Sequence, residues 1–101
     1  MISLKNFPAS HTISEFCVKW RIRELSLFGS VIRNDFSPVS DVDVLVSFDK
    51  SVNWDLFKIL EMREELESLF GRKVDIAEKE AIRNPFRRHE ILTHREVLFA
   101  A

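Results

Sequence analysis

A chain of 101 residues is one domain long and can enclose a single modest core. With 46% hydrophobic and 31% charged residues it has a globular balance, without repeats or low-complexity tracts. Its formal net charge of -1 argues against broad gripping of a nucleic-acid backbone, which normally needs a clear basic excess. The lone cysteine, Cys17, excludes an internal disulfide and a cysteine zinc site.

In chain order, residues 1–10 read as a loose lead-in to a single domain spanning 1–101. They lack the apolar run of a signal peptide, and no later segment is long enough to span a membrane, so a cytoplasmic location is expected. Thr12-Ile13-Ser14-Glu15 has the pattern of a capping box. Ile13, Phe16, Cys17 and Trp20 follow at helical spacing, which predicts a helix over 12–21 with Cys17 in the core. A short strand is expected over Glu24–Phe28, broken by Gly29-Ser30, then a helical turn within Val31–Phe36 and a loop at Ser37-Pro38.

Asp41–Phe48 alternates strictly, with Val42, Val44 and Val46 on one face and Asp41, Asp43 and Leu45 on the other, the period of a strand. Asn53 is placed to cap a long helix over Trp54–Phe70, with an apolar stripe of Leu56, Ile59, Leu60, Leu66 and Phe70 and Gly71 at its C-terminal turn. Lys73–Ala77 reads as a strand, Ala81–Thr93 as a helix and Glu96–Phe99 as a short edge strand. The alternation of elements predicts an α/β (α+β) domain: a small mixed sheet with helices packed on one face and the aspartates on the open one.

Chemistry concentrates in Gly29-Ser30, then Asp41-Val42-Asp43, then Asp75. Two carboxylates two residues apart on a strand share a face, where they repel unless a cation lies between them. Mg²⁺ suits all-oxygen ligands and completes its shell with water and substrate phosphates. Asp75, set between Val74 and Ile76, supplies a third carboxylate. Three can hold two metals in the arrangement that clamps an in-line phosphoryl displacement. Gly29 allows close backbone approach to a phosphate, and Ser30 adds a hydroxyl and a backbone N–H at the start of a helical turn.

With those residues in place, Leu27-Phe28-Gly29-Ser30-Val31-Ile32-Arg33-Asn34-Asp35, Ser40–Val46 and Lys73-Val74-Asp75-Ile76 resemble the signature of the DNA polymerase beta-like nucleotidyltransferases. The likeness is strongest to their minimal members, which are commonly the antitoxin half of a toxin–antitoxin pair. The resemblance implies a nucleotidyltransferase that moves AMP from ATP to a tyrosine hydroxyl of a HEPN-domain toxin. It implies that Gly29 and Ser30 hold the triphosphate, that Asp41 and Asp43 bind Mg²⁺, two ions in all, and that Asp75 completes the metal site and helps the acceptor lose its proton. Arg33 either reaches phosphate or pairs with Asp35 or a neighbouring carboxylate.

Other residues admit two readings. Trp54 either stacks on a base or closes the core. The basic run Arg83, Arg87, Arg88 and His89 either is a solvated helix face or meets phosphate or an acidic partner. The histidines lack zinc-ligand spacing. Function likewise has competitors: an antitoxin acting by occlusion, or transfer to a small molecule or RNA. The absence of tyrosine suits an acceptor in another molecule, and so little chain is left outside the sheet and helices that a partner is expected to deliver it.

Overall fold

The computed structural model of the chain describes residues 7–33 and 40–101. Most of the lead-in, the later part of the expected turn with Asn34 and Asp35, and the Ser37-Pro38 loop lie outside the described residues. The elements are α1 (Ser10–Lys19), β1 (Ile22–Phe28), a 3-10 turn (Gly29–Ile32), β2 (Val42–Phe48), α2 (Leu56–Phe70), β3 (Val74–Glu78), a second 3-10 turn (Lys79–Ala81), α3 (Pro85–Thr93) and β4 (Arg95–Ala100).

The strands form one mixed sheet in the order β3-β2-β1-β4. β1 pairs antiparallel with β2 and β4, and β2 pairs parallel with β3. A parallel pair needs a crossover, and α2 supplies it. Strand alternation turns Val42, Val44 and Val46 with Leu25 and Leu27 to one face. There they meet Ile13, Phe16 and Cys17 of α1 and Met62, Leu66 and Phe70 of α2 in the main core. Cys17 is wholly enclosed, and burial pushes its thiol up to about 12, so it is a packing residue, as its helical spacing predicts.

The opposite face is only partly open. α1 and α2 share the valine face as expected, but α3 crosses to the aspartate face, where Ile91 buries against Phe28 and Leu45. The reason lies in the same alternation that exposes the aspartates. It also turns Phe28 and Leu45 outward, and burying such side chains is worth roughly 1.5–3 kcal/mol each. A third helix is the element available to cover them.

Helix ends differ from expectation in informative ways. α1 begins at Ser10 with Ala9 at its cap and no side-chain cap bond, so the Thr12 capping box falls inside the helix and goes unused. α2 is capped by Asp55, whose carboxylate accepts from the Lys58 N–H at 2.9 Å, and not by Asn53. Its buried row is Met62, Leu66 and Phe70, while Leu56 (69% exposed) and Leu60 (37%) sit on its flank, because positions 62, 66 and 70 repeat every four residues along one side. Gly71 does close the helix, in the left-handed conformation at φ 67°. Glu67 then ties the helix end to the next strand by accepting from the Val74 N–H at 3.0 Å.

α3 starts at Pro85 and not at Ala81. Asn84 caps it by accepting from the N–H groups of Phe86 (2.9 Å) and Arg87 (3.1 Å). Proline fits the first helical position because its missing N–H would be unpaired there anyway. Asn84→Ala should therefore cost about 1 kcal/mol, lowering the melting temperature by roughly 4–8 °C in a thermal unfolding scan. A variant that melts with the parent would show that packing alone sets where α3 begins.

Candidate active site

The sheet register decides which carboxylates meet. Asp43 of β2 lies opposite Asp75 of β3 in the parallel pair, so both leave the same face from strands about 4.8 Å apart. Asp41 immediately precedes β2 and is exposed, as is Asp75. The start of β2 is held by the Val42 N–H donating to the Lys73 carbonyl at 2.9 Å and by the Arg72 guanidinium donating to the Ser40 carbonyl at 3.0 Å.

Asp43 is the electrostatic centre. Partial burial, then the charges of Asp75 and Asp41, raise its pKa above the usual aspartate range; Arg33 and Arg87 offset part of that rise. Its carboxylate is uncomfortable as it stands, and a cation beside it would relieve both the desolvation and the repulsion. Among the described residues, no three His, Cys, Asp or Glu side chains form a ready-made metal cage.

Gly29 explains how a turn can lie against this carboxylate. It follows β1 with φ +72°, and a Cβ built on it would stand 2.2 Å from Asp43 Oδ2. Both the backbone conformation and the lack of a side chain are required. The 3-10 turn it opens continues through Ser30 and buried Val31, with the Arg33 N–H closing on the Ser30 carbonyl at 3.1 Å.

A cleft of about 740 Å³ opens from this point, floored by Phe28, Ile32 and Ile91 and walled by Gly29, Arg33, Asp43, Arg87, Glu90, Thr93, His94, Arg95 and Glu96. Of the residues expected to form the site, Gly29, Arg33 and Asp43 line this cleft. Ser30, Asp41 and Asp75 do not, and the two aspartates border it through their charge on Asp43. Asp35, the alternative partner for Arg33, lies outside the described residues.

Glu90, His94 and Arg95 carry no sequence signal that marks them for the site. β4 starts at Arg95, one residue before the expected Glu96, and pairing of Arg95 with Phe28 puts the guanidinium on the cleft face. There it donates to Glu24 and contacts Ser26 Oγ at 3.4 Å, while Lys79 Nζ reaches the same Glu24 oxygen at 3.3 Å. Burial opposes ionisation of Glu24, but Arg95 and Lys79 outweigh it and hold its carboxyl below the usual range. The basic run divides: Arg87 joins the cleft, whereas Arg88 turns back to donate to the Lys79 carbonyl at 2.5 Å. Trp54 stacks edge-on against Trp20 at 5.3 Å and donates to the Trp20 carbonyl at 2.9 Å, so it closes the core.

A mixed sheet presenting two strand carboxylates in register beside a glycine-opened turn defines a domain suited to handling phosphate groups. The nucleotidyltransferase domain model matches residues 10–98, and the chain belongs to that family. It is 36% identical over 66 residues to the protein adenylyltransferase MntA of Thermococcus cleftensis, a match covering 65% of each chain. In overall shape it is similar to a chain of a toxin–antitoxin crystal structure with AMP-PNP (TM-score 0.71, 18% identity, 91% of this chain and 73% of the other). It is likewise similar to a chain of the tri-AMPylated Shewanella oneidensis HEPN toxin in complex with its MNT antitoxin (TM-score 0.64, 17% identity, 91% and 70%). At those identities the structural matches establish the fold. No helix among the described residues is long and apolar enough to cross a membrane.

Proposed function

We propose that this nucleotidyltransferase transfers AMP from ATP to a hydroxyl, a tyrosine in the reading that suits this tyrosine-free chain, on a partner HEPN toxin, and thereby acts as its antitoxin. The observation that carries the proposal is the in-register pair Asp43 and Asp75 with Gly29 packed against Asp43. The Thermococcus cleftensis relative, named a protein adenylyltransferase, and the tri-AMPylated HEPN toxin in the structurally similar complex support the acceptor and the partner.

The donor set fits Mg²⁺. Its oxygens are hard, and the crowded charge of Asp43 calls for a cation. With few protein ligands in place, water and nucleotide phosphates complete the shell, as is usual for this ion. Asp41, Asp43 and Asp75 would hold it, and when bound it supplies charge neutralisation at the α-phosphate and alignment of the attacking and leaving oxygens. Gly29 lets the phosphates approach the backbone, Ser30 offers its hydroxyl and N–H, and Arg33 adds positive charge. Asp75, exposed beside Asp43, takes up the proton as the acceptor oxygen attacks the α-phosphorus. The bond to the β-phosphate oxygen breaks, and pyrophosphate leaves. Catalysis is then mainly positioning and charge stabilisation.

The test is to incubate the chain with ATP, Mg²⁺ and the product of its neighbouring gene, then weigh that product. A gain of one or more AMP units is expected; an unchanged mass with folded partners would refute the transfer. A second reading, neutralisation by occlusion, draws on the exposed apolar side chains Leu56, Phe57 (77% exposed) and Leu60 of α2, which suit a protein contact. It requires that a transfer-dead variant still neutralise the toxin at equal dose.

A further inference from the structure

The cleft runs from Asp43 away from Asp75, towards β1 and β4, because Asp75 is absent from its lining while Phe28, Gly29 and Arg95 form part of it. If an acceptor arrives at the exposed Asp75 side, the leaving end of a triphosphate lies inside the cleft. Among the described residues, two arginines stand there besides the Glu24-bound Arg95. Arg33 comes from the end of the glycine turn and Arg87 from the first turn of α3.

Of the basic run Arg83, Arg87, Arg88 and His89, Arg87 is the member that lines the cleft, and its backbone is held by its neighbours. Asn84 caps the turn through the Arg87 N–H, Pro85 fixes the helix start, Arg88 clamps the next position to Lys79, and Ile91 anchors the following turn in the second core. The Arg87 side chain is exposed and makes no hydrogen bond or ion pair among the described residues, although its charge is felt at Asp43. A guanidinium lining an open cleft, close enough to influence a carboxylate yet not spent on it, is available to act as a phosphate fork.

We propose that Arg87 is a phosphate-binding residue that grips the terminal phosphates of the nucleoside triphosphate, the group that leaves as pyrophosphate, from the α3 side of the cleft. The inference rests on the nucleotide reading of the site and adds a residue outside the Gly29-Ser30 and aspartate motifs.

Calorimetric titrations with ATP and with AMP, in Mg²⁺ and without any acceptor protein, separate the outcomes. Arg87→Ala should weaken ATP binding by about 10- to 100-fold, the usual range for a lost charged hydrogen bond, and leave AMP binding unchanged. Arg87→Lys, which keeps the charge but not the fork, should fall between and guards against a folding defect in the alanine variant. Arg83→Ala, outside the cleft, should bind as the parent does. Equal ATP affinity in Arg87→Ala and parent, or equal losses for ATP and AMP, would overturn the role of Arg87 alone. A parent chain that binds neither nucleotide would overturn the nucleotide reading and this inference with it.

Discussion

Asp43→Asn should reduce nucleotidyl transfer by at least ~10²- to 10³-fold, the scale of several kcal/mol of lost charge stabilisation at a metal-assisted phosphoryl centre, while the protein stays folded and melts no lower than the parent at neutral pH. The second half of that expectation follows from the electrostatics. Burial and the charges of Asp75 and Asp41 raise the Asp43 pKa in the folded chain. An acid whose folded pKa is raised contributes its full stability below the unfolded value, about 3.9, and loses it as pH rises through the folded one. At neutral pH the ionised carboxylate therefore works against folding, and the neutral amide removes that penalty. Parallel thermal scans of parent and variant from about pH 3 to pH 8, a range that brackets the unfolded aspartate value, should converge at the acid end and separate as pH rises, with the variant equal or higher. Adding Mg²⁺ with ATP should raise the melting temperature of the parent more than that of the variant, because ligands that bind only the folded state stabilise it. A variant that transfers AMP at the parental rate would remove Asp43 from the mechanism. One that melts well below the parent would show that the carboxylate holds the fold together.

The second large effect is expected at Gly29. In Gly29→Ala the new methyl group would meet Asp43 Oδ2 at 2.2 Å while the backbone stays at φ +72°. The left-handed backbone alone costs an alanine about 1–2 kcal/mol, and crowding adds about 1–3 kcal/mol. The structure supplies its own control. Gly71 has nearly the same φ, +67°, but open space to 4 Å around the position a Cβ would take, so Gly71→Ala should show the backbone cost alone. The difference between the two in denaturant unfolding measures the clash with Asp43. Relief requires the carboxylate to swing aside, and displacement of a catalytic group by about 1 Å can cost 10²-fold in rate. Gly29→Ala should thus lose both stability and transfer, whereas Gly71→Ala should lose only stability. Equal behaviour of the two would mean that the turn and the aspartate move apart freely.

Much of this is legible in the chain without coordinates. The strict alternation around Val42, Val44 and Val46, the Asp-Val-Asp spacing, the isolated Asp75 and the glycine ending β1 are local patterns, weak singly and specific only in combination. The element order follows from them, and so do the fold class and the residues of the proposed site. Boundaries are less legible. The Thr12 capping box and Asn53 are sound local signals, but α1 begins earlier, at Ser10, and α2 later, at Leu56. Asp55 then serves as the cap of α2, and Arg21 takes a positive φ of 53° at the end of α1, a conformation no residue type in that stretch announces.

Sequence alone determined what can be written as period and chemistry: which side chains share a strand face, and which aspartates and Gly-Ser bend are candidates for one site. Tertiary structure decided where α3 goes. Its crossing to the aspartate face follows from the need to bury Phe28 and Leu45 under Ile91, a contact between residues far apart in the chain that no local window contains. That single packing choice builds the cleft wall, brings Arg87 within reach of Asp43, and leaves Arg88 outside. Burial of apolar surface depends on which distant partner is available, and strand register depends on the whole sheet; neither is a property of neighbours in sequence.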